Sequence, residues 1–218
     1  MRIVLLGPPG AGKGSLALLC KTRLHVAHLS TGQIFREEMA RRTPLGERVR
    51  AYVTSGRLVP DALVTRVMVH RLASTRYRSF VLDGFPRTQG QAVGLDRALE
   101  KLKQPLHGAV YITSPEPLLV RRLSGRLVCS KCGANYHTRT MRPRRPGRCD
   151  RCGAALMTRK DDQIGTIRRR LAIDGKTSKP LLAYYRQRRA LYRVDGRGRI
   201  TTVFVRACKL FRRQGWMT

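Results

Sequence analysis

Residues 7–15, Gly-Pro-Pro-Gly-Ala-Gly-Lys-Gly-Ser, concentrate the chain's chemistry. Glycines at 7, 10, 12 and 14 permit a turn tight enough to aim several backbone N–H groups at one anion. Lys13 adds a mobile cation suited to β- and γ-phosphates, and Ser15 a hydroxyl suited to Mg2+. Gly10, Ala11, Gly12, Lys13, Gly14 and Ser15 therefore read as a cradle for a phosphate chain. The general G-x-x-x-x-G-K-[ST] pattern is not met to the letter, because Gly14 separates the lysine from the hydroxyl.

Four of the six cysteines fall in two close pairs, Cys129-Ser-Lys-Cys132 and Cys149-Asp-Arg-Cys152, with sixteen residues between the pairs. With no export signal, that spacing reads as a tetrahedral Zn2+ site and not as disulfides; the competing reading is free or redox-active thiols. The segment 127–158 around them is rich in arginine and poor in apolar residues, so a metal would supply the stability its own core lacks. Cys20 and Cys208 read as buried small apolar residues.

A further cluster is Asp83-Gly84-Phe85-Pro86-Arg87. Asp83 ends an apolar run, the place where an α/β sheet presents carboxylates to a Mg2+–nucleotide, and Arg87 can fork onto a phosphate. Arg159 and Arg170 lie eleven residues apart, a spacing that lets both face one site.

These groups need a frame. Arg2–Leu6 is a short apolar run before the glycine-rich loop, and a helix follows over 16–24, giving the strand–turn–helix context of a phosphate loop. His25–Leu29, Ser79–Leu82, Gly108–Ile112 and Ile200–Val205 read as four more strands. Ser30-Thr31-Gly32 caps a helix through Met39, and Pro44 and Gly46 break the helical pattern. Helices are expected over about 47–54, ending at Ser55-Gly56, then 61–74, from Glu116, over 163–173, over 180–194, and after 205. Five strands interleaved with helices predict an α/β fold with a parallel sheet covered on both faces.

The 218 residues suffice for one such domain with insertions. No run approaches the roughly 18 apolar residues of a membrane span, so no membrane partner and a cytoplasmic location are expected. The charge is +32, with 18 basic and 8 acidic residues in 1–120 and 27 and 5 in 121–218. Such a field attracts nucleic acid, but the excess is spread along several helices, which favours a site for two polyphosphates within an arginine-rich chain.

With the loop, Ser30-Thr31-Gly32, Asp83-Gly84-Phe85-Pro86-Arg87-Thr88 and Arg159-Lys160-Asp161-Asp162 in register, the chain resembles the adenylate kinases, in particular the bacterial long form with a zinc-bearing lid. The resemblance covers residues 1–205. It implies a P-loop three-layer fold made of a core (1–29, 60–124 and 163–218), a helical NMP-binding insertion (30–59) and a small lid (125–162). It also implies a monomer catalysing ATP + AMP ⇌ 2 ADP on a Mg2+–nucleotide. A kinase for UMP or CMP is the nearest alternative, and a weakly catalytic nucleic-acid-associated protein another. By resemblance, Arg122, Arg126, Asn135, Tyr136 and Gly198 surround the ATP with the phosphate loop. Thr31, Arg36, Arg57, Leu58, Val59, Gly84, Phe85, Pro86, Arg87 and Gln91 meet the AMP. Arg126, Arg159 and Arg170 clamp phosphates, with Arg87, Asp83 and Lys13 completing the catalytic set. Such chemistry needs positioning and cationic stabilisation, and no nucleophilic side chain.

Three departures stand out. Gln33 occupies a position where these kinases usually carry Asp, and Ile164-Gly165 replace two acids. Weaker Mg2+ organisation and a looser lid hinge are the expected consequences, with Gly165 costing about 1 kcal/mol against Ala early in a helix.

Overall fold

The computed structural model describes residues 1–55, 57–75 and 78–217, with Ser74, Thr75 and Lys160 described by their backbone alone. The expected helix end at Gly56 lies outside the described residues. Five parallel strands form the central sheet in the order β2-β3-β1-β4-β8: β1 (Arg2–Leu6), β2 (Ala27–Ser30), β3 (Phe80–Asp83), β4 (Gly108–Thr113) and β8 (Leu191–Asp195). Val4 and Leu82 point into one apolar layer, Ile3, Leu5, Val81 and Val110 into the other, so the central strands are buried on both faces. Register sets the site: Leu5 and Ser30 both pair with Asp83, and Leu6 with Tyr111. The loops after β1, β2 and β3 therefore begin at one height along the carboxyl edge of the sheet, where α/β folds hold ligands.

Helices cover the sheet: α1 (Lys13–Leu24), α2 (Thr31–Ala40), α3 (Pro44–Ser55), α4 (Asp61–Thr75), α5 (Gln89–Lys101), α6 (Glu116–Ser124), α7 (Ile164–Gln187) and α8 (Ile200–Arg213). Between α6 and α7 lies a small antiparallel sheet of β5 (Arg126–Cys129), β6 (Asn135–His137) and β7 (Leu156–Met157), in the order β6-β5-β7.

The structure corrects the sequence reading in several places. Ile200–Val205 is not a strand but the start of α8, whose residues Val203, Ala207, Leu210 and Phe211 are buried. The β-branched run suggested a strand, yet the buried residues recur at helical spacing, and each large one contributes about 1.5–3 kcal/mol on burial. The fifth strand is Leu191–Asp195, paired with β4 from Ala109↔Leu191 to Thr113↔Asp195. The helix expected there ends earlier because Arg189 adopts φ 52°, with Ala190 N–H donating to Tyr185 O at 2.9 Å, and no glycine announces that stop. The helices expected over 163–173 and 180–194 are one 24-residue helix that carries Pro180 in its interior.

Pro44 and Gly46 likewise belong to α3. Thr43 caps it, its Oγ1 accepting the Gly46 N–H at 3.1 Å. A Cβ on Gly46 would lie 2.3 Å from Glu38 O, so glycine here permits the close crossing of α2 and α3. Helix α5, for which the sequence reading had no element, begins at the N-cap Thr88 and buries Gln91, Ala92, Leu95 and Leu99.

Candidate active site

Residues 7–15 wrap the start of α1. Gly10 and Gly12 take φ values of 84° and 97°, and Gly12 is the helix N-cap. Lys13 Nζ folds back on its own loop, donating to Gly7 O and, at 3.0 Å, to Pro8 O. Burial lowers the Lys13 ammonium to about 8; Asp83 and Asp174 oppose the shift, and Arg87 and Arg170 add to it. Gly14 has a steric reason: a Cβ there would sit 3.1 Å from Asp83 Oδ2. The carboxylate thus closes onto the loop because no side chain intervenes. Burial pushes the Asp83 carboxyl up, but the His28 imidazole 3.6 Å away and the Lys13 charge outweigh it and hold it below the usual range. His28 Nε2 is buried without a hydrogen-bond partner among the described residues.

Facing the loop is a cationic cluster already balanced by acids. Arg126 forks onto Asp162 with bonds of 2.7 and 2.6 Å, and Arg159 forks onto Asp161. Arg170 bridges the two acids, 3.1 Å from Asp161 Oδ2 and 3.1 Å from Asp162 Oδ1. The Asp162 side chain has no exposed surface. Burial and the neighbouring charge of Arg159 bring the Arg36 guanidinium down to about 10. Burial brings Arg170 to about 10 as well, Asp161 opposing.

One cleft of about 1280 Å3 joins these groups, bordered by residues 9–15, Arg36, Asp83, Arg87, Arg126, Arg159 and Arg170. Its volume exceeds that of an ordinary small-ligand pocket, about 300–1,000 Å3. Toward α3 it is walled by Arg57, Leu58, Val59, Gly84, Gln91 and Thr31, whose Oγ1 donates to Gly84 O at 2.9 Å. On the opposite side it is walled by Arg122, Asn135, Tyr136 and Gly198. Arg122 Nη2 donates to Gly196 O at 2.9 Å and Gly198 O at 3.1 Å, tying α6 to the turn after β8. Two of the expected ligand residues stand apart from the cleft wall. Phe85 is fully buried in the core, and Pro86 lines a smaller cavity behind the loop. Tyr136 borders the cleft but directs its hydroxyl to the second cysteine turn, accepting the Asp150 N–H at 2.8 Å.

The family model for adenylate kinase matches residues 5–190 of this chain. The adenylate kinase of Moorella thermoacetica is 45% identical over 206 residues, covering 94% of this chain and 95% of its own length. That of Clostridium tetani is 42% identical over 205 residues, with the same coverage. One from Clostridium perfringens is 40% identical over 211 residues, covering 96% and 98%. The chain belongs to the adenylate kinase family. It is a nucleotide-binding phosphotransferase, and its reaction is that of an adenylate kinase, on ATP with Mg2+ and AMP. Among the described residues, no helix is long and apolar enough to cross a membrane.

In this adenylate kinase the four lid cysteines form a site compatible with a metal. Their Sγ atoms all lie within 4.8 Å of one another, with Cys129···Cys152 at 3.4 Å and Cys132···Cys149 at 3.6 Å. Four thiolates at about 2.3 Å from a tetrahedral Zn2+ are about 3.8 Å apart, so the donor set fits that ion. Each pair ends in a glycine of positive φ, Gly133 and Gly153, whose N–H donates to the first cysteine's carbonyl at 3.1 and 2.9 Å. The two halves are thus copies of one Cys-x-x-Cys-Gly-Ala turn.

Three contributors escaped the sequence reading. Asp61, at the start of α4, binds Thr88 and Gln91. His28 backs Asp83. Asp174, on α7, lines the cavity of about 80 Å3 behind the loop with Lys13, Arg87 and Arg170, and burial raises its carboxyl against the pull of the Lys13 and Arg87 charges. None belongs to a motif; only their placement marks them.

Proposed function

We propose that the cleft binds both nucleotides of the adenylate kinase reaction at once, phosphates meeting at its centre. Support comes from one observation above all: Lys13, Arg36, Arg87, Arg126, Arg159 and Arg170 converge on a single space between two separate nucleoside walls. Mg·ATP lies on the phosphate loop, with its base toward Arg122, Asn135, Tyr136 and Gly198. AMP lies toward Thr31, Arg36, Arg57, Leu58, Val59, Gly84, Arg87 and Gln91, with Phe85 and Pro86 shaping the turn beneath it. Asp83 orders the water around the nucleotide's Mg2+, and Ser15 offers its hydroxyl.

The chain's own residues act by holding charge. As the phosphoryl group leaves ATP, its negative charge spreads over the outer oxygens, where the guanidiniums of Arg87, Arg126, Arg159 and Arg170 and the Lys13 ammonium meet it. Arg126, Arg159 and Arg170 need little rearrangement, because Asp161 and Asp162 hold them in place before the nucleotides arrive. We further infer a structural Zn2+ in Cys129, Cys132, Cys149 and Cys152, which orders the lid without entering the reaction. The units are a core (1–29, 60–124 and 163–218), an acceptor insertion (30–59) and a lid (125–162) that closes on the cleft. One chain supplies every cationic group named, which supports action as a monomer.

The test is turnover with Mg·ATP and, separately, AMP, CMP, UMP and GMP at fixed salt, with zinc content measured on the same sample. Turnover on AMP far above the others is expected. Turnover that prefers a pyrimidine would refute the acceptor assignment, and a folded sample inert with all four would refute the arrangement of the cleft.

A further inference from the structure

The acceptor wall contains a side chain whose two ends are chemically distinct yet nearly identical in shape, the Gln91 amide. It is almost fully buried, 1% exposed, and borders the cleft. A free glutamine amide offers either orientation to a ligand. This one does not. Its Oε1 accepts the backbone N–H of Arg87 at 2.8 Å, a group that can only donate. Its Nε2 donates at 2.8 Å to Asp61 Oδ1. Asp61 Oδ2 in turn accepts the Thr88 hydroxyl, and Thr88 Oγ1 accepts the Gln91 backbone N–H at 3.1 Å. The carboxylate thus receives two donors. A flipped amide would set oxygen against carboxylate and N–H against N–H at once.

We propose that Asp61 is a specificity-determining positioning residue: it locks Gln91 in one orientation, and that lock selects adenine over guanine in the acceptor pocket. This rests on the reading that Gln91 faces the acceptor base. With one N–H and one oxygen lone pair committed, Gln91 has one N–H and one lone pair left for the ligand. The corresponding edge of adenine offers an acceptor at N1 and a donor at the 6-amino group. Guanine offers the reverse, a donor at N1 and an acceptor at O6. An amide held in one orientation matches the first and opposes the second at both atoms, whereas an amide free to turn serves either. Asp61 does not itself border the cleft, so it acts through Gln91.

The experiment compares kcat/KM for AMP and GMP, with Mg·ATP as donor, in the wild type, Asp61→Asn, Asp61→Ala and Gln91→Ala. In Asp61→Asn the new amide pairs with either orientation of Gln91 and only the Arg87 N–H still opposes the flip, so the AMP-to-GMP ratio is expected to fall by about tenfold. AMP weakens, GMP improves in absolute terms, and KM for Mg·ATP stays put. Asp61→Asn keeps the shape of the side chain; a melting curve on each variant establishes that it is folded. A ratio unchanged in folded Asp61→Asn, while Gln91→Ala raises KM for AMP, overturns the lock but leaves the acceptor pocket where it was placed. Equal losses on AMP and GMP also overturn it, since that is what a purely structural role produces. If Gln91→Ala leaves KM for AMP unchanged, the reading of the pocket itself fails.

Discussion

Lys13 sets a proton linkage that can be worked out in advance. Its ammonium stands near 8 in the nucleotide-free protein, against 10.5 for an ordinary lysine, because burial outweighs the attraction of Asp83 and Asp174. At pH 9 about one loop in ten carries the proton. A triphosphate demands the charged form, so the empty loop must take up a proton before or as it binds. Affinity for Mg·ATP should hold steady below pH 7 and then weaken toward tenfold per pH unit above 8, about 1.4 kcal/mol for each unit. Arg36 and Arg170, lowered to about 10, stay about nine-tenths protonated at pH 9, so the slope between pH 8 and 9 belongs to Lys13. Calorimetry from pH 6.5 to 9.5, in buffers of different ionisation enthalpy, reads both the affinity and the protons taken up. Lys13→Met should bind weakly with no slope. The sign for stability is the opposite: a lysine with a depressed folded pKa costs stability in full below about 8, and the cost vanishes as pH passes 10.5. Lys13→Met should therefore raise the melting temperature of the nucleotide-free protein at pH 7. The upper limit is on the order of 3 kcal/mol, before the loss of its bonds to Gly7 and Pro8 is set against it. Affinity that stays flat to pH 9.5 in folded wild type would refute the reasoning.

Other perturbations separate the remaining parts of the site. Asp162→Ala removes the buried partner of Arg126 and Arg170 and should destabilise the nucleotide-free protein by about 3 kcal/mol; added ADP should recover much of that, as seen in paired melting curves. Cys149→Ser should lose one equivalent of zinc by elemental analysis and lower Tm by roughly 5–10 °C, and an unchanged metal content would remove the zinc assignment. Gly46→Ala places a Cβ 2.3 Å from Glu38 O and should cost about 2–3 kcal/mol in urea unfolding; a change under about 0.5 would mean that α2 and α3 part easily.

The residues that sequence made legible are those whose chemistry is local. The strand–glycine loop–helix unit, the Asp83 junction and the paired cysteines each act within a few residues of one another, and each stands where expected. The boundaries around β8 and α8 were hidden because their signals are long-range or silent: Arg189 turns left-handed without a glycine, and a β-branched run is helical because its apolar residues face α1 and the sheet. The acid–base balance of the site was hidden for a related reason. The missing acids at positions 33, 164 and 165 suggested weaker Mg2+ organisation and a looser lid hinge. Yet Gln33 turns to Glu37, 2.8 Å away, while Asp161 and Asp162 hold the Arg126, Arg159 and Arg170 guanidiniums. Asp174 adds a carboxylate near Lys13 and Arg87 from behind the loop, four residues and about one helical turn past Arg170, where no motif looks for it. Motifs name the groups that touch the ligand; the charges that tune those groups arrive from whichever helix packs behind them, and only the fold says which.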